Sequence, residues 1–349
     1  MGSNTHLYTL RLGIAFLEQA KADMEASKIL YDKDFYSHAL FFLQQSAEKS
    51  YKALRLVFQG FLEEVKVRLQ KLIDILPDVK NYIEKFIENI NNNVLSGKDL
   101  DNFLKNTVRH NPAGIIVCDY MSIMRILRSF LDSLLQIIQD LGINVSNNIV
   151  TGLRRYKERV IEKEDQVLNM LEGNKRKSYR AIAAYINQNI NPPSDKAIYI
   201  NDPIVVLLNS LRSHGSPQAK MLYSKSYDIA LFIRKLYATL HTLFSLNLIL
   251  SNQYNILRYP GSNTNNVAPH KYFNADCILI KSYKDFYDAI SISIERIEAL
   301  YKIINELIKI DISDIEKMIM DRLQGKYILD NPELKGIIDT LLKIIVGVK

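Results

Sequence analysis

The clearest chemistry in this sequence lies in its cations. Arg154, Arg155, Lys157 and Arg159 are followed by Lys175, Arg176, Lys177 and Arg180, with Tyr156 and Tyr179 interleaved. Phosphate contacts need cations on a shared face, and tyrosine rings can stack on single-stranded bases. Arg154, Arg155, Lys175, Arg176, Lys177 and Arg180 are therefore the expected nucleic-acid surface. Glu158, Glu162 and Glu164 share the segment, so a balanced, solvated helix face is the competing reading. A second constellation is Arg234 with His241. Residues seven apart on a helix lie two turns apart on one face. The neighbours Phe232, Leu236, Leu240 and Phe244 allow a pair satisfied inside a core.

Other chemistries find little support. No P-loop, dinucleotide fingerprint, H-E-x-x-H or nucleophile elbow occurs. Glu63, Glu64, Glu162 and Glu164 are scattered along helical stretches, where solvation is the ordinary role of a carboxylate. Cys118 and Cys277 form no C-x-x-C, which argues against a zinc site and a disulfide framework. No metal and no cofactor is expected. The formal charge of +7 and a pI near 9.0 permit a polyanionic partner without demanding one. The N-terminus lacks a secretory or myristoylation pattern, and Ala230 to Leu250 is interrupted by Arg234, Lys235 and His241. An intracellular, cytoplasmic protein without membrane spans is expected, with that stretch a buried core helix.

These residues must be positioned by helices. Glycine and proline are scarce, at 13 and 9 of 349 residues, and long stretches keep a helical period. The organising stretch is Asp34 to Gly60. Ala39, Leu43, Ala47, Tyr51, Leu54 and Phe58 line one face of a helix, and Gln44, Gln45, Glu48, Lys49 and Lys52 lie off it. Asp34 stands where an N-cap is expected and Gly60 where a C-terminal cap is. A helix over about 7–30 pairs with it antiparallel through the short YDKD link. Beyond Phe61, breaks are expected at Pro77, at Asn91 to Asn93 with Gly97, and at the Asn111 to Gly114 turn. A long helix over about 116–141 and a charged one over about 150–172 follow. The segment 160–225 reads either as a winged-helix or helix-turn-helix unit or as more bundle helices.

Inside the organising helix, Phe41, Gln44, Gln45, Ala47, Glu48, Lys49, Lys52, Ala53 and Leu54 follow the pattern F-x-x-Q-Q-A-A-E-K-A-x-K-A-L, with Ser46 and Ser50 at two of its alanines. This resembles the HEPN family. The resemblance resumes at Arg258, Tyr259 and Pro260, similar to the turn before the last core helix of many members, with Gly261 where an aspartate is common. It implies an all-α fold: a four-helix core from 1–60 and 226–310, a large helical insertion over 61–225, and a C-terminal helical extension over 311–349. The last core helix is expected over about 282–310, with Phe286, Ile290, Ile297, Leu300, Ile304 and Leu307 inward.

The resemblance also implies a function. Many HEPN proteins are metal-independent ribonucleases that carry an arginine, four to six residues and a histidine, with two copies facing each other in a homodimer. Arg234 and His241 fit that spacing and are the candidate catalytic pair, with His241 moving a proton at the 2′-hydroxyl and Arg234 stabilising phosphate charge. The expected protein acts on or with RNA or DNA, as a homodimer, in defence or toxin–antitoxin biology. The alternatives are a non-catalytic binding module, in which Arg258 and Tyr259 contact a ligand, and a DNA-binding regulator acting through the insertion.

Overall fold

The computed structural model describes residues 5–73, 80–95, 112–140, 238–250 and 268–308, with isolated positions between them at 100, 103, 104, 151, 154, 157, 158, 236 and 257. The fold is all-α, and no strand occurs among the described residues. Helices α1 (Thr5–Tyr31) and α2 (Tyr36–Ile73) form the long antiparallel hairpin expected from the YDKD link. Helix α3 (Lys80–Asn93) packs on α2 and on α4 (Pro112–Asp140). The helical segment α5 (residues 238–250) is buried at every position from Thr239 onward. Two single turns, α6 (Pro269–Tyr272) and α7 (Ile278–Lys281), lead into α8 (Tyr283–Ile308), which packs along α2 and touches α1.

The hairpin link is built differently from the expectation. Asp34 has φ of 62°, its N–H donates to Tyr31 O at 3.0 Å, and the Phe35 N–H reaches back to Leu30 O at 2.9 Å. That pair of bonds closes the C-terminus of α1, with Asp34 in the left-handed position that aspartate tolerates better than most residues. Asp34 is thus the C-terminal cap of α1 and not the N-cap of α2. Its carboxylate instead accepts from the Tyr36 hydroxyl at 2.5 Å. Gly60 is not a cap either, because α2 continues through it to Ile73. Pro112 likewise begins α4 rather than sitting in a turn. Its missing N–H costs nothing in the first helical turn, where amides have no partner within the helix.

One core joins these helices. Leu10, Leu17 and Ala20 of α1 meet Leu43, Ala47 and Leu54 of α2, Ile290 and Ile297 of α8, and Leu243 and Leu246 of α5. The same cluster takes in Leu62, Ile90, Ile116 and Tyr120, all within the stretch expected as an insertion. Helix α5 is anchored between two neighbours. Asn247 Nδ2 donates to Ala47 O at 3.0 Å on α2, and the Phe244 ring stacks on Tyr120 of α4 at 4.2 Å. On α8, Phe286, Ile290, Ile297, Leu300 and Ile304 are buried as their spacing predicts. The 160–225 unit and the 311–349 extension lie outside the described residues.

Candidate functional site

Of the candidate catalytic pair, His241 is described and Arg234 is not. His241 sits on α5 with no exposed surface. The Tyr120 hydroxyl lies 2.8 Å from its Nδ1, and the two rings meet edge to face with centroids 5.3 Å apart. Tyr120 is itself fully buried and stacked on Phe244. The arrangement gives a polar imidazole a hydrogen-bond partner within an aromatic cluster, which is what burial of such a group requires.

The most heavily charged interior of the described residues lies on α2, in side chains that the sequence reading placed off its apolar face or did not single out. Gln44, Glu48 and Lys52 are buried, as is Arg55 one turn further on. Lys52 Nζ pairs with Glu48 Oε1 at 2.8 Å and donates to Leu104 O at 3.0 Å. Arg55 Nε pairs with Asp119 Oδ1 of α4 at 2.6 Å, while its Nη2 donates to Asn93 O at 3.0 Å. The Tyr51 hydroxyl donates to Asp119 Oδ2 at 3.0 Å. Gln59 adds a bond to Leu95 O at 2.7 Å.

Asn93 is the last residue of α3, so Arg55 covers one of the carbonyls that a helix end leaves without intrahelical partners. A cation there also complements the negative end of the helix dipole. Burial pushes the Tyr51 hydroxyl well above its ordinary pKa, and the neighbouring Asp119 carboxylate adds to the shift. Tyr51 is therefore a neutral donor at physiological pH.

The expected nucleic-acid surface is only partly described. Arg154 is exposed, and the nearby Lys157 pairs with Asp132 of α4. Arg155, Lys175, Arg176, Lys177 and Arg180 lie outside the described residues, as do Arg258 and Tyr259. Sequence reasoning missed Arg55 and Asp119, which are 64 positions apart and meet only through the packing of α2 on α4. It also missed the polar stripe on α4 formed by Arg125, Arg128, Ser129, Asp132, Ser133 and Gln136. Their three- and four-residue spacing, opposite buried Ile116, Tyr120, Ile123 and Met124, is the signal that could have found it.

Among the described residues no group of three or more histidine, cysteine, aspartate or glutamate side chains could hold a metal ion, and no helix is long and apolar enough to cross a membrane. No curated protein and no solved structure matches the chain. A family model does, over a continuous stretch that runs through most of α1, all of α2 and α3, and on to Phe103. That model is the HEPN domain, matched over residues 15–103, and it is the HEPN domain that this part of the chain is similar to.

Proposed function

We propose that this chain is a nucleic-acid-associated HEPN protein that works as a binding module, with His241 serving the core. The HEPN match supports association with nucleic acid. The observation that carries the non-catalytic half of the reading is the burial of His241 against Tyr120. A histidine that moves a proton must come within hydrogen-bond reach of the group it serves. His241 instead spends a ring nitrogen on the Tyr120 hydroxyl, and the Tyr120 ring is in turn stacked on Phe244. In this reading Arg234 does no chemistry, Arg154 and the neighbouring cations hold phosphate, and Arg258 with Tyr259 belongs to a ligand contact. The module pairs as a homodimer, as HEPN domains commonly do, and acts in defence or toxin–antitoxin biology. The described helices between 61 and 140 are continuous with the HEPN core rather than a separate unit, since Leu62, Ile90 and Tyr120 share its apolar cluster.

The test compares wild type with His241→Ala. Labelled RNAs of varied sequence are incubated with chelator present, and both proteins are melted thermally. The module reading expects no wild-type cleavage, unchanged RNA affinity in the variant, and a loss of about 2–4 kcal/mol of stability from the cavity and the lost hydrogen bond. Chelator-resistant cleavage by wild type, lost in a well-folded His241→Ala protein, overturns it in favour of a ribonuclease.

A further inference from the structure

Helices α3 and α4 leave between them an open, polar groove of about 390 Å³. Its walls include Lys85 and Asn89 from α3, and Arg125, Arg128, Ser129 and Asp132 from α4. Lys85, Arg125 and Arg128 are exposed, so three cations from two helices face solvent around one concavity. The spacing follows from the helix. Positions 125, 128, 129 and 132 fall on one stripe, and 133 and 136 continue it with a serine and a glutamine that also line the groove.

The charge balance is favourable to an anion. Asp132, the one carboxylate among the described residues of the walls, is already paired with Lys157. Its negative charge is thereby offset, and the pair ties the groove to the cationic segment that contains exposed Arg154. Glu84 is paired with Lys80 on α3, and neither Glu88 nor Glu158 belongs to the walls. Hydrogen-bonding side chains alternate with the cations: Asn89, Ser129, Ser133 and Gln136 offer amides and hydroxyls between the guanidinium groups. Cations that hold phosphates, beside short polar groups that reach sugar and base edges, are what a sequence-tolerant nucleic-acid groove needs. The size matters too, since a cavity of this volume admits nucleotide-sized units of an unpaired strand.

We propose that the α3–α4 groove binds the phosphodiester backbone of single-stranded nucleic acid, with Arg125, Arg128 and Lys85 as the phosphate ligands. The Asp132–Lys157 pair then marks where the strand continues towards Arg154. This rests on the reading of the chain as a nucleic-acid-associated module, and it assigns that module a surface different from the expected 154–180 segment alone.

The experiment measures fluorescence anisotropy of a labelled oligouridylate across a salt series with three forms of the full chain. These are wild type, Arg125→Glu with Arg128→Glu, and a control with the same charge change, Lys33→Glu with Lys284→Glu. Lys85→Glu and Arg125→Gln with Arg128→Gln are measured as milder variants, and circular dichroism melts confirm that each protein is folded. The groove assignment expects a loss of affinity of about tenfold or more in the Arg125/Arg128 reversal, and a salt slope reduced by about 0.7 per lost contact. The control should change affinity by no more than a few-fold. If wild type binds with a steep salt dependence and the folded groove variants bind equally well, the groove assignment is overturned while the module reading stands. Absence of wild-type binding to single-stranded RNA and DNA alike overturns both.

Discussion

The two sides of α2 hold their neighbours by different physics. Towards α1 and α8 the contact is close and largely apolar. Ala39, Leu43 and Ala47 are fully buried there, and Gly13 of α1 lets the helices approach until an added Cβ would sit 3.2 Å from Val57 Cγ2 and 3.3 Å from Ala53 O. Short polar groups on this side reach backbone, as where Ser46 Oγ donates to Ala20 O at 2.8 Å, and longer ones cross at its edges, where Lys49 pairs with Asp23 of α1 and Arg68 Nη2 donates to Ile308 O of α8. Towards α3 and α4 the side chains are long and polar, two of the three charged. Lys52, Arg55 and Gln59 reach across to Leu104 O, Asn93 O and Leu95 O. One side is fixed by steric fit, and the other by donors that satisfy carbonyls at and beyond the end of α3. The comparison implies that the first side tolerates a lost polar group better than an added methyl, and the second the reverse.

The largest effect should come from breaking the charged side. Asp119→Ala leaves the Arg55 guanidinium buried without its carboxylate, and Tyr51 with only the Ile116 carbonyl at 3.3 Å. Removing one partner of a buried pair typically costs about 3–5 kcal/mol, because the remaining charge is left uncompensated. Urea denaturation of Asp119→Ala should show a loss of that size. The double change Arg55→Met with Asp119→Leu should recover most of it, since the desolvation cost disappears together with the attraction. If the double variant is as unstable as the single one, then the bond from Arg55 to Asn93 O, and not the ion pair, is what holds α3 to α2.

Those two sides were unequally legible in the sequence. The steric side announces itself through Ala39, Leu43, Ala47, Tyr51, Leu54 and Phe58, whose period gave both the hairpin and the buried face, and α8 was read in the same way. The charged side is not written in periodicity. Glu48 and Lys52 have the spacing of a solvated surface pair, and nothing local separates such a pair from one that a later helix will cover. Their burial depends on where 103–104 and α4 pack, which is a long-range fact. The caps failed for a related reason: Asp34 suits either end of a helix, and the choice was made by the bond from Phe35 N–H to Leu30 O. For His241 the sequence supplied both roles, core and catalyst, and only the meeting with Tyr120 weighs between them. The α4 stripe was readable in principle, yet its meaning needs α3 as the opposite wall.

A smaller effect tests the steric side. Gly13→Val places branched carbons where a single Cβ would already be tight against Val57 Cγ2, Leu56 Cβ and the Ala53 carbonyl. Backbone cannot move aside as a flexible side-chain tip can, so α1 must shift away from α2. Overpacking of this kind costs about 1–3 kcal/mol. Gly13→Ala should come out closer to neutral, since alanine regains about 1 kcal/mol of helix propensity against the same tight contact. Melting temperatures of the two variants check the order. A valine variant as stable as the alanine one would mean that the interface has slack and is not set by steric fit.

The smallest effect concerns a pair of hydroxyls, Ser27 and Tyr283, that links α1, α2 and α8, and it is distinguished by its pH dependence. The Ser27 and Tyr283 hydroxyls share a 2.9 Å hydrogen bond, Ser27 Oγ also donates to Ala39 O at 2.7 Å, and the Tyr31 ring stacks on Tyr283 at 3.8 Å. Tyr283→Phe keeps the stack and leaves Ser27 bonded to Ala39 O, so near neutral pH it should cost only about 0.5–1.5 kcal/mol. Burial raises the Tyr283 hydroxyl from 10.0 to about 12, against the opposing pull of Ser27. A group whose pKa is raised on folding stabilises the folded state fully below its unfolded value and loses that contribution as pH climbs to the folded one. For wild type the loss therefore falls between pH 10 and about 12, where the unfolded chain ionises Tyr283 and the folded chain does not. The phenylalanine variant has no such proton to lose. Its stability deficit, measured by denaturation at pH 8 and again above pH 10, should shrink with alkalinity and then reverse. A deficit that stays constant across that range would show that Tyr283 titrates alike in both states and that its hydroxyl is not held in a buried contact.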